Sequence, residues 1–99
     1  MNQTTLIERV LSLTQAIEAA AALADWPEAA RLTEERSLLL VSLTADQEPA
    51  ALETIRKIQA IDAVVFANAQ TTQIELQSEY CAAMARVDAA GQYQQVAQF

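Results

Sequence analysis

The chain has 99 residues, room for one domain, with 53% hydrophobic residues, one glycine, two prolines and a formal net charge of −7. Its six cations, Arg9, Arg31, Arg36, Arg56, Lys57 and Arg86, are scattered rather than gathered into the basic stripe that nucleic acid or anionic lipid requires, which argues against either as a direct ligand. One cysteine, Cys81, and no histidine exclude an internal disulfide and argue against zinc sites, a histidine-activated nucleophile and Glu-x-x-His di-metal centres, so neither metal nor cofactor is expected.

The first predicted helix covers 4–24. Leu6, Val10, Leu13, Ile17, Ala20 and Ala24 recur at three- and four-residue spacing, and Ile7 and Leu11 widen that apolar face. Thr4 or Thr5 is the expected N-cap, with Glu8 completing a capping box after Thr5. The second helix starts at "DWPE": Asp25 caps free amides, Glu28 reaches back, and Pro27 is tolerated in a first turn whose amides lack intrahelical partners. Nothing separates the two helices, so they form an antiparallel hairpin. Trp26, Ala29, Leu32, Leu39 and Leu43 give the second stripe, broadened by Leu38, Leu40 and Val41.

A third helix starts near Asp46, the expected N-cap, and meets no breaker before Gly91. Leu52, Ile55, Ile58, Ile61 and Val65 form a stripe able to pack on the hairpin. Past Phe66 the stripe thins to Ala69, Thr72, Leu76, Tyr80, Ala83 and Val87, and the polar run "NAQTTQ" (68–73) offers a place to break. The helix either runs straight, the favoured case because no Gly or Pro marks a turn, or folds back as a fourth. Gly91 is the expected helix stop. The tail after it either frays or docks through Tyr93, Val96 and Phe99, which share helical spacing. The expected fold is all-α: an antiparallel helical hairpin packed on a long third helix, a three- or four-helix bundle in a single domain over 1–99, with a short C-terminal segment at 91–99. No apolar run is long enough to cross a bilayer and no secretory leader is evident, so a soluble cytoplasmic protein is expected.

Most charges have plain roles. Glu28 with Arg31, Arg31 with Glu35, and Glu53 with Arg56 or Lys57 sit at helix-pair spacing. Two do not. Arg36 shares a side with Leu32, Leu39 and Leu43, and Asp62 sits beside Ile55, Ile58 and Val65. A charge beside a core is costly unless paired. Arg36 and Asp62 are therefore expected to meet and fix helix register, unless Arg36 buries only its stem and keeps its head in water. Trp26 is either a core anchor or a partner anchor. Cys81 is expected to be a small thiol, buried or half-buried.

The stretch "DWPEAARLTEERSLLLVSL" (25–43) resembles the hallmark region of FliT-type flagellar export chaperones: an Asp-Trp turn, then Glu35 and Arg36 followed by Leu39 and Leu40. Ile58, Ile61 and Asp62 resemble a feature of that family's long third helix, so the likeness covers about the first two-thirds of the chain. The resemblance implies a small, acidic, helical, cytoplasmic, non-enzymatic protein. It implies binding to the C-terminal segment of the filament-cap protein, protection of that segment from early assembly, and delivery to the type III export apparatus. In some relatives it also implies restraint of the flagellar master transcription regulator. Helix-in-groove binding needs an apolar stripe with polar flanks, and Leu76, Tyr80, Ala83, Met84 and Val87 are the candidate partner-binding residues. Such relatives usually continue into a distinct C-terminal helix that covers the binding surface. Eight residues follow Gly91 here, and Tyr93, Val96 and Phe99 are read as a shortened regulatory version.

Two other functions compete. One is a generic helical adaptor or self-associating bundle, a homo-oligomer with its seam on the third-helix stripe. The other is a helical enzyme resembling chorismate mutase, whose dicarboxylate chemistry needs converging cations; the spacing of the cations here does not resemble that family's.

Overall fold

A computed structural model describes residues 2–97, with side chains through Tyr93. Among these residues the chain is all-α, in the order α1 (Gln3–Ala22), α2 (Trp26–Leu40) and α3 (Pro49–Ala97). Two compact units are present, Met1–Asn68 and Ala69–Phe99.

The first unit holds α1, α2 and the start of α3. The Asn2 side chain, not Thr4 or Thr5, caps α1 by accepting from the Thr5 amide at 2.8 Å. Asparagine ranks above threonine at this position, and its carbonyl lies one residue ahead of the helix, where a cap belongs. At the other end the chain turns within three residues. The Ala24 amide donates to the Ala21 carbonyl at 3.0 Å and the Asp25 amide to the Ala20 carbonyl at 2.9 Å, the paired bonds of a Schellman stop. Ala24 takes a left-handed conformation, φ 57°, where glycine is the usual occupant. The Asp25 carboxylate then accepts from the Glu28 amide and opens α2. The reciprocal half of the expected capping box does not form, because the Glu28 carboxylate turns to Arg31.

Two apolar clusters join the helices. Leu13, Ile17 and Ala20 of α1 meet Ala29 and Leu32 of α2, with Trp26, Leu39 and Val65 packed against them. Ile7 and Val10 of α1 meet Ile58 of α3, with Leu39, Leu43 and Ile55 around them. Each fully buried Val, Leu or Ile contributes about 1.5–3 kcal/mol of transfer free energy. The broad second stripe expected from the leucine run does not form: Leu38, Leu40 and Val41 are exposed. α2 ends at Leu40, so it presents only one narrow face to its neighbours.

The link from α2 to α3 is held by Gln3. Its amide donates to the Ser42 carbonyl at 3.1 Å, and its carbonyl oxygen accepts from the Thr44 amide at 3.2 Å and the Gln47 side chain at 2.8 Å. Asp46 lies in this link and does not cap α3. The helix starts at Pro49, whose missing amide costs nothing in a first turn, and the Glu48 carbonyl accepts its first bond, from Leu52.

In the second unit α3 continues as one helix. There is no break at 68–73, and Gly91 does not stop the helix, which reaches Ala97. Glycine in a helix costs about 1 kcal/mol against alanine, too little to end one flanked by good formers. A tail that turns back after Gly91 is thus ruled out as far as Ala97. Cys81 is exposed, not buried, because no other described element of this unit packs on the helix around it.

Candidate functional site

Two features stand out, one in each unit. In the first, three helices meet on a polar triad. Thr14 sits on the buried face of α1 between Val10 and Ile17 and is fully enclosed. Its hydroxyl donates to the Val10 carbonyl at 2.8 Å and accepts from Arg36 Nη1 at 3.0 Å. The same Nη1 donates to Asp62 Oδ1 at 2.6 Å. The Arg36 side chain is 13% exposed and that of Asp62 39%, so the pair runs from the core to its rim. The structure thus brings Arg36 and Asp62 together and adds Thr14, which the charge argument missed. The signal was present: a polar residue four after Val10 and three before Ile17 lies on an apolar face and needs a partner. Arg36 Nε is buried without a hydrogen-bond partner among the described residues, and so is Trp26 Nε1. Trp26 is half-buried against the Leu13–Leu32 cluster, a core position rather than an extended anchor.

Around this triad the charges form a surface layer. Arg9 pairs with Glu35 at 3.2 Å across the hairpin, and Arg31 bridges Glu28 and Glu35 on α2. Hydrogen bonding from Arg31 holds the Glu28 carboxyl below its ordinary range. The pairing of Glu53 with Arg56 or Lys57 expected from spacing is not among the described ion pairs. An open groove of about 460 Å³ lies between the first turns of α1, the α2–α3 link and the start of α3, lined by Ile7, Glu8, Asp46, Glu48 and Ala51 among others.

The second unit carries the candidate partner face. Leu76, Tyr80, Ala83 and Val87 lie on one side of α3, at spacings of four, three and four. Leu76 is 60% exposed, Tyr80 67% and Val87 62%, with Ala83 half-buried and Met84 on the margin. Isolated exposed apolar residues are ordinary; here several lie along one helix face and leave a contiguous apolar strip open to water. Of the three tail residues, Tyr93 is carried on α3 with its side chain 79% exposed. The Val96 side chain and Phe99 lie outside the described residues.

The family model for the flagellar protein FliT matches residues 4–95, nearly the whole chain. The chain belongs to the FliT family. The match extends well past the first two-thirds that carried the resemblance, and takes in the exposed face at Leu76–Val87. No curated protein and no solved structure matches the chain. Among the described residues no helix is long and apolar enough to cross a membrane.

Proposed function

We propose that this FliT-family protein is a cytoplasmic export chaperone that holds the C-terminal helical segment of the filament-cap protein before secretion and brings it to the type III export apparatus. The observation that carries this reading is the row of exposed apolar side chains on α3, Leu76, Tyr80, Met84 and Val87, in a member of a flagellar family. A client segment built to assemble with its own kind has an apolar helical face. Laying that face against α3 removes both stripes from water, and apolar area is the main driving force for such helix-in-groove docking. The flanks are polar and largely acidic or amide-bearing, Gln73, Glu75, Gln77 and Glu79, which keeps the unloaded surface soluble. No residue in this account has a catalytic role. Restraint of the flagellar master regulator belongs to the same proposal, as competition for the same face.

The test is co-purification with the C-terminal segment of the filament-cap protein from the same source. A stable complex that is lost on replacing Leu76 and Tyr80 together by Glu supports the chaperone role and its surface. Absence of a complex, or a complex indifferent to both substitutions, overturns the role or the surface respectively.

A further inference from the structure

We propose that the open groove of the first unit, between the start of α1, the α2–α3 link and the start of α3, is a docking site for a basic segment of a partner protein. An arginine or lysine of that segment lays its aliphatic stem over Ile7 and Ala51 and sets its charged head among Glu8, Asp46 and Glu48. The groove uses no residue of the Leu76–Val87 face, so it stands apart from the chaperone reading.

The shape comes first. A volume of about 460 Å³ suits one long side chain with its flanking backbone. Ile7, buried, closes the floor with half-buried Ala51 beside it, while Glu8, Asp46 and Glu48 are exposed around them. The walls are tied together before anything binds. Gln47 Nε2 donates to Gln3 Oε1 and to the Thr44 carbonyl, each at 2.8 Å, which fastens the link to α1. A preformed groove spares its ligand the cost of ordering the site.

Charge names the occupant. Elsewhere in the first unit Glu28, Glu35 and Asp62 each face an arginine. Glu8, Asp46 and Glu48 make no ion pair among the described residues, and no described lysine or arginine lines the groove. Helix ends do not use Glu8 or Asp46 either: Asn2 caps α1 in place of a box with Glu8, and Asp46 does not cap α3. No three acids among the described residues are grouped to hold a metal ion, so a point cation is a poor match. An extended cation that bridges separated carboxylates across an apolar floor is complementary to this surface. A peptide meets one more group than a free polyamine does. The Thr4 hydroxyl on the wall makes no described hydrogen bond and can donate to a peptide carbonyl, which a polyamine lacks.

Fluorescence anisotropy of the full chain with a labelled glycine-serine peptide carrying arginines tests this, beside the same peptide with glutamine for arginine. Glu8→Gln with Glu48→Gln removes two groove charges; both positions are exposed and the amide keeps the side-chain size, so folding is spared. Glu75→Gln with Glu79→Gln removes the same charge from the second unit and serves as the control. The arginine peptide should bind and the glutamine peptide should not. The groove pair should weaken binding at least about fivefold, and the control pair less than about twofold. Absence of binding, or equal losses for the two pairs, overturns the proposal. Spermidine that binds as tightly as the arginine peptide assigns the groove to a free polyamine and overturns the protein partner. Client binding is read separately by co-purification with the Leu76 and Tyr80 substitutions, so failure of one reading leaves the other measurable.

Discussion

Arg36 is the side chain through which α1, α2 and α3 of the first unit touch one polar point. Its side chain is 13% exposed, and its guanidinium lies between the Thr14 hydroxyl and the Asp62 carboxylate. Deleting one member of a buried pair strands the other charge, which costs about 3–5 kcal/mol when both are fully enclosed. Asp62 is partly wet, so Asp62→Ala is expected to cost less, about 1–3 kcal/mol in urea denaturation, against less than about 0.5 kcal/mol for the exposed control Glu53→Ala. Equal losses for the two would show that the pair does not hold helix register. Ala24 makes the opposite prediction. Its left-handed φ of 57° carries a steric cost of about 1–2 kcal/mol that glycine lacks, partly cancelled by the extra freedom glycine has when unfolded. Ala24→Gly should therefore raise stability by about 0.5–1 kcal/mol; a loss would mean that the turn is not strained. The Glu28 carboxyl, held low by Arg31, should titrate below exposed glutamates in a carbon-detected NMR titration. Because its folded pKa is depressed, any stabilisation is present above the ordinary glutamate pKa and is lost as pH falls through the folded value.

At the scale of elements, Gly91 sits inside α3 with open space where a Cβ would go. Gly91→Ala should slow amide exchange over residues 88–95, an effect worth up to about 1 kcal/mol of local helix stability. No change there would mean that the segment is not helical in solution. Gln3→Ala should release the α2–α3 link, seen as faster exchange of the Thr44 amide, which donates to Gln3 at 3.2 Å. The hairpin was legible in sequence because Asp25, Pro27 and Glu28 each have few other roles at a helix start. The stop of α1 was legible to within two residues, because Asp25 must start the next helix, but its left-handed turn was not, since it places an alanine where chemistry favours glycine. Gly91 misled for the converse reason: a lone glycine marks a helix end only when the neighbours also stop, and here they are alanine, glutamine and aspartate within a long run of helix formers. Thr14 was legible as a polar residue on an apolar face, but spacing did not say which side chain on another helix would be its partner. The unbroken α3 was legible from the lack of glycine and proline at 68–73, and so was the apolar row of the candidate partner face from its spacing. What spacing alone left open was exposure: that row and the exposed Leu38, Leu40 and Val41 look alike in sequence.

At the scale of the molecule, the two units differ in what holds them. The first is built on enclosed side chains from three helices, with Val10, Ile17 and Ile58 nearly sealed from solvent. In the second, the described side chains of α3 are mostly exposed. Amides around Val10 and Ile17 should exchange near the global unfolding rate, and those of 76–90 much faster in dilute monomer. Adding the filament-cap segment should slow the second group alone. If the segment leaves that group unchanged, the client does not cover that face.

Asp25 serves two helices at once: its amide closes α1 and its carboxylate opens α2. The junction therefore has no spare residue and works as a ruler. One inserted amino acid would separate the two duties and, at about 100° per residue, swing α2 so that Arg36 pointed away from Thr14 and Asp62. Substitution at this corner is a matter of degree, but a change of length scrambles the phase of the whole hairpin.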